Sequence, residues 1–172
     1  MKIKILSDST CDLSKQLLDE NDITLVPLTV IKNDEQFKDG VSITPDVIFE
    51  HVANGGSLCT TSANSVGEYE DWFRKYAADY DGVLHINIGS GFSSCFQNAS
   101  IAAQEFDNVA VVDSQNLSTG QGLVVLKACE LAKNAQSMEE LKALYGVGEK
   151  NSRDYGQSFL EVILEFKSGI MK

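Results

Sequence analysis

The sequence predicts an α/β fold of three layers, a mainly parallel sheet with helices on both of its faces. Two observations carry this. Short β-rich runs (2–6, 23–31, 83–88 and 109–112) alternate with helix-length stretches, the rhythm of strand–helix–strand units. Most of these runs also end in Ser/Thr/Gly-rich turns that carry helix-start residues, so strand and helix follow each other directly.

Taken in order, Lys2 to Leu6 alternates polar and apolar, then breaks at Ser7-Asp8-Ser9-Thr10-Cys11-Asp12, a strand followed by a turn rich in caps. Asp12 or Ser14 can start a short helix to Glu20. The second strand covers 23–31, with Pro27 marking an edge or an irregularity because it has no N–H for a ladder. A polar connection over 33–40 leads to Thr44-Pro45-Asp46, a cap with proline at the first helical position. That helix runs through Val52 and ends near Gly55-Gly56.

Next comes the hydroxyl-rich turn Thr60-Thr61-Ser62-Ala63-Asn64. Ser65-x-x-Glu68 has capping-box spacing and opens a helix over 66–80. On that helix Tyr69, Trp72, Phe73 and Tyr76 fall at i, i+3, i+4 and i+7, a core-facing stripe. In the strand 83–88, alternation sets Leu84, Ile86 and Ile88 on one face and His85 and Asn87 on the other. Gly89-Ser90-Gly91 then leads to Ser93 or Ser94 at the start of a helix reaching about Phe106. The strand 109–112 ends in Asp113-Ser114, and a third hydroxyl-rich turn feeds a helix over 123–133. Ser137-x-x-Glu140 caps one more, to about Tyr145; beyond Gly146 the pattern degrades, with an apolar-rich segment over 158–166. In a parallel sheet ligands sit beyond the carboxyl ends of the strands. The turns after Leu6, Leu58, Ile88 and Val112 are therefore expected to share one polar rim.

Composition narrows the ligand. A net charge of −11 over 172 residues argues against nucleic acid or an anionic membrane as partner. No apolar run approaches the length of a membrane span, and the first residues turn polar at once, so the expectation is a cytoplasmic protein with no integral membrane segment. The four cysteines and two histidines form no ligand spacing, so no metal is expected; Cys11, Cys59, Cys95 and Cys129 read as reduced thiols. From Tyr76 to Leu126 there is no Lys or Arg, so an anion bound there must be held by amides, hydroxyls and helix dipoles, which disfavours a triphosphate.

Gly89-x-Gly91-x-x-Ser94 lacks the third glycine of a dinucleotide fingerprint, and there is no Walker lysine. Asp8, Asp12 and Asp113 at strand ends are metal candidates only as scattered loop acids. The run 89–93 is not a nucleophile elbow, and His85 and His51 are the sole candidate bases for a serine hydrolase. A carboxylate held by hydroxyls and amides, with an apolar tail in a tunnel, fits the turns better. Each neutral hydrogen bond adds on the order of 1 kcal/mol net and each buried methylene about 0.8 kcal/mol, so a long tail supplies affinity and the head group orientation.

Several segments taken together resemble a known family: Ser7-Asp8-Ser9-Thr10-Cys11-Asp12-Leu13, Val26-Pro27-Leu28-Thr29-Val30, Asp39-Gly40, Thr60-Thr61-Ser62-x-x-Ser65-x-Gly67-Glu68, Ser93 with Gln97 and Ala99, Val112-Asp113-Ser114 and Gly120-x-Gly122. In order and spacing they are similar to the DegV family of fatty-acid-binding proteins, from the start of the chain to about Leu144. The resemblance implies a cytoplasmic bacterial protein that binds a long-chain fatty acid and is not itself an enzyme. It also implies a separate ATP-dependent fatty acid kinase subunit as partner, to which the acid is presented.

By position, Thr61, Ser62 and Ser93 match the family's carboxylate-binding hydroxyls. The family usually has proline where Asn64 stands and Gly-Thr-Tyr where Ser94-Cys95-Phe96 stands. Its members carry a second domain that helps enclose the acyl chain. On this basis residues 1–145 are the fatty-acid-binding domain and 146–172 a divergent tail or remnant of the second domain. The tunnel is then either open or completed by a homodimer partner. The alternatives are an acyl ester hydrolase and a truncated remnant that has lost binding.

Overall fold

The computed structural model describes residues 2–134. The expected helix over 137–145, the apolar segment 158–166 and the domain boundary near 146 lie outside the described residues.

Four parallel strands form the main sheet: β1 (Ile3–Asp8), β2 (Ile23–Val26), β6 (Gly82–Asn87) and β7 (Val109–Asp113), in the order β2-β1-β6-β7. Helices α3 (Val66–Ala77) and α4 (Cys95–Ala103) cover one face, where Tyr69, Phe73, Cys95 and Ala99 pack with Leu6, Val83 and Val109. Helices α1 (Lys15–Glu20) and α5 (Thr119–Asn134) cover the other, where Val125, Ala128 and Leu131 meet Ile5, Leu84 and Ile86. This is the three-layer α/β arrangement read from the sequence.

The expected strand 23–31 is two strands. It breaks at Pro27-Leu28, and β3 (Thr29–Lys32) leaves the main sheet to pair antiparallel with β4 (Glu35–Lys38) and β5 (Thr60–Ser62). The irregularity signalled by Pro27 is thus a change of sheet. The polar connection expected over 33–40 holds β4. Asn33 and Asp34 both adopt left-handed φ, 52° and 64°, as the two-residue loop of a tight hairpin requires, and these residue types tolerate that conformation. The stretch 60–62, expected as a turn after Leu58, is the edge strand β5 of this small sheet and not the end of a parallel strand.

Helix α2 (Pro45–Ala53) starts at Thr44 with proline in its first turn, as expected. Ser14 caps α1, and Ser65 with Glu68 forms both halves of the capping box of α3. Ile88 departs from the expected face. The strand ends at Asn87, and Ile88 packs with Tyr69 and Cys95, while Leu84 and Ile86 stay on the α5 side.

Candidate functional site

In a doubly wound sheet the crevice for a ligand opens where the strand order reverses, beyond the carboxyl ends. Here that point lies between β1 and β6, and the protein fills it with its own carboxylate. Asp8, the last residue of β1, is fully buried and accepts four hydrogen bonds. They come from the Tyr69 hydroxyl (2.9 Å), His85 Nε2 (3.2 Å), Asn87 Nδ2 (3.0 Å) and the Ile88 amide (2.9 Å). Burial pushes the Tyr69 phenol well above its ordinary pKa, with the Asp8 charge adding to the effect, so the hydroxyl stays a donor. His85 is walled in by the rings of Tyr69 (5.3 Å) and Phe73 (5.6 Å).

This assigns several of the residues singled out above. His85 and Asn87 form a core network with Asp8, so Asp8 is not presented to a metal and His85 does not face a nucleophile. Asp113 accepts from the amides of Ser90 (3.0 Å) and Gln115 (2.9 Å) and holds the glycine turn to the start of the β7–α5 loop. His51 lies in the last turn of α2, packed against Gly56.

The hydroxyls lie outside this plug, Thr61 and Ser62 on β5 and Ser93 just ahead of α4. Asn98 in α4 donates to the carbonyl of Asn64 at 2.8 Å, which ties that helix to the chain two residues beyond Ser62. Ala63 and Cys95 pack in the same apolar cluster. Thr61 and Ser62 are exposed and Ser93 half-buried, and no hydrogen bond links the three to one another among the described residues.

Register separates the two neighbours on β5. Thr61 lies opposite Val30 and Ser62 opposite Thr29, so their side chains leave opposite faces of the small sheet. The Ser62 hydroxyl donates to the Ala63 carbonyl (3.3 Å), whereas the Thr61 hydroxyl has no hydrogen bond among the described residues. Ser93 Oγ accepts from the Cys95 amide (3.2 Å) and donates to Cys95 Sγ (3.1 Å), a weak acceptor that a better one can displace.

The two helix starts differ in what they offer. At α3, Glu68 already supplies the anion: its Oε2 takes the Ser65 amide (2.8 Å) and hydroxyl (2.9 Å), and its Oε1 takes Lys38 Nζ (2.6 Å). The dipole of α3, which would otherwise favour an anion ahead of the helix, is therefore satisfied internally. At α4 the Ser94 cap makes no side-chain bond and no acidic residue occupies the first turn, so this terminus is the one open to an external carboxylate.

Burial works to raise the Glu68 pKa. Hydrogen bonds from Lys38 and Ser65, with the Lys38 charge, outweigh it and hold the carboxyl below its ordinary value. A group depressed in the folded state adds stability that is fully present above its unfolded pKa, about 4.3, and is lost as pH falls through the folded value. The stability difference between the parent and Glu68→Gln is therefore expected to shrink on acidification below about pH 4.3. Urea denaturation at a series of pH values measures it; a difference constant down to pH 3 would contradict the depressed carboxyl.

Two features of the site escaped sequence reading. Lys38 lay in what read as a polar connection, and only the Asn33-Asp34 hairpin signal could have placed it on a strand. Asn64 looked like one more polar turn residue, yet it is fully buried.

Comparison with known proteins places the architecture. The family model described as "Uncharacterised protein, DegV family" matches residues 2–150. A DegV domain-containing protein of Clostridium perfringens is 34% identical over 143 residues, covering 82% of this chain and 51% of that protein. Protein DegV of Bacillus subtilis is 32% identical over 142 residues, covering 81% and 50%. The chain spans about half the length of the curated relatives it matches.

Among solved structures, a DegV family protein from Thermus thermophilus, described by its fatty acid binding, superposes with a TM-score of 0.74 at 37% identity. It covers 84% of this chain and 52% of its own. A stearic-acid-binding protein from Eubacterium ventriosum superposes with a TM-score of 0.71 at 30% identity over 82% and 51%. Bacillus subtilis DegV, described as a fatty acid binding protein, gives 0.73 at 27% identity over 98% and 53%. With the matched region running from the first strand past the last described helix, the chain belongs to the DegV family.

Proposed function

We propose that this chain binds a long-chain fatty acid, holding the carboxylate at the junction of β5 and the N-terminus of α4 and leaving the acyl tail to an apolar surface. The observation that carries this reading is the Asn98–Asn64 bond. It sets the exposed hydroxyl strand beside a helix start that has no anion of its own. The ligands described for the solved relatives, fatty acids, have the chemistry this junction accommodates.

The hydroxyls act as donors and the helix amides as a dipole, with no cation required. Thr61 and Ser93 are the principal donors, and Ser62, whose proton goes to its neighbour's carbonyl, contributes less. The chain acts as a carrier and not a catalyst, because His85, the nearest base by sequence, is turned to Asp8. Phosphorylation of the bound acid would belong to a separate ATP-dependent kinase subunit, and the reading includes a cytoplasmic location.

Mass spectrometry of the denatured, purified protein is expected to find a long-chain fatty acid, and added oleate is expected to bind. Thr61→Val and Ser93→Ala should each weaken oleate about fivefold, the equivalent of about 1 kcal/mol for one hydrogen bond, with Ser62→Ala within about twofold. No extracted lipid together with no oleate binding would overturn the proposal.

A further inference from the structure

The strand that carries the candidate hydroxyls has little to hold it. β5 has three residues, all exposed, and occupies the edge of the small sheet. A short edge strand of this kind is marginal by itself. Next to it lies a part-buried cation network. Lys38, the last residue of β4, directs its ammonium to Thr29 Oγ1 on β3 (2.9 Å), Asn64 Oδ1 in the β5–α3 connection (3.1 Å) and Glu68 Oε1 in the first turn of α3 (2.6 Å). An ammonium has three donors, and all three are used.

Each partner is held from its other side. Asn64 donates to the Pro27 carbonyl (3.1 Å), at the point where the chain changes sheets, and its own carbonyl accepts from Asn98. Glu68 closes the α3 capping box. Lys38, Thr29 and Ser62 share one face of the small sheet, because Thr29 lies opposite both of the others in register. The network thus joins β4, β3, the β5–α3 connection, the start of α3 and, through Asn64, α4.

We propose that Lys38 is the positioning residue of the site: its ammonium, acting through Asn64 and Glu68, fixes β5 against α3 and α4 and so sets where the Thr61 hydroxyl stands relative to Ser93. The ligand consequence rests on the carboxylate-site reading above; the ordering of β5 does not. Lys38 touches no ligand in this scheme. Removing its ammonium leaves Asn64 Oδ1, in a fully buried side chain, without its donor and frees Glu68 from its cation. Both losses fall on the segment just after the hydroxyl strand.

The test is hydrogen exchange on the unliganded full chain, with oleate titration as a second arm. In Lys38→Met the amides of the β3–β5 ladder are expected to exchange about tenfold faster, while those of the central strand β6 change by less than about twofold. Glu68→Gln, which keeps the shape and removes the charge, should fall between Lys38→Met and the parent. Lys38→Arg should recover most of the protection, since it restores a cation with several donors. Oleate affinity should drop about tenfold in Lys38→Met and return in Lys38→Arg.

Unchanged exchange in β5, or equal acceleration in β5 and β6, overturns the proposal. So does local loosening with unchanged oleate affinity. A parent protein that binds no oleate removes the carboxylate reading instead, and the exchange ratio by itself then supports or overturns Lys38's hold on β5.

Discussion

Replacing Asp8 by asparagine is expected to cost about 3–5 kcal/mol of folding stability, the range for leaving a buried, hydrogen-bonded charge site broken. The carboxylate accepts from four donors, the Tyr69 hydroxyl, His85, Asn87 and the Ile88 amide, and both of its oxygens are used. An amide in its place keeps one acceptor and turns an NH₂ group toward donors, so at least one buried N–H or O–H loses its partner at about 1–3 kcal/mol. The residues affected lie on β1, α3 and β6, so the loss is spread over the centre of the sheet. Urea denaturation measures it. Tyr69→Phe is the graded control: it removes one donor and should cost about 1–3 kcal/mol. A loss under about 1 kcal/mol for Asp8→Asn would mean that these four bonds do not hold the centre of the sheet together.

The same residue shows what the sequence could and could not convey. Alternation along 83–87 set His85 and Asn87 together on one face of a central strand, and the structure keeps them there with Asp8 between them. That the three make one network was not legible, because Asp8 meets its partners 61 to 80 residues away in sequence. Local signals carried well: Ser65-x-x-Glu68, Thr44-Pro45 and Pro27 each did what its backbone chemistry requires. What failed was anything set by a second sheet. Three residues of β5 offer too short a pattern to separate an edge strand from a turn, and Lys38 reaches partners 9, 26 and 30 residues away. At α3 the capping-box glutamate is itself the anion at the helix terminus, which Ser65-x-x-Glu68 already implied.

For Phe73→Ala a loss of about 3–5 kcal/mol is expected, from lost transfer energy and the cavity left behind. Phe73 is fully buried and its ring stacks on Tyr69 (6.0 Å) and meets His85 (5.6 Å) and Phe106 (6.1 Å). The helix stripe named four aromatics, and they are unequal. Trp72 is half-buried with Lys75 Nζ 3.8 Å over its ring, so Trp72→Ala should cost less than about half as much.

At this chain length 4 kcal/mol lowers the melting midpoint by roughly 8–16 °C, which calorimetry resolves. The two large substitutions also test each other. Phe73 holds the ring of His85, and His85 bonds Asp8, so the two sites share a partner. Once Asp8→Asn has loosened that imidazole, removing Phe73 has less order left to destroy. The double variant should therefore lose less than the sum of the singles, by about 1 kcal/mol or more. Strict additivity would mean that the aromatic layer of α3 and the acid network at the end of β1 are separate structures that happen to touch.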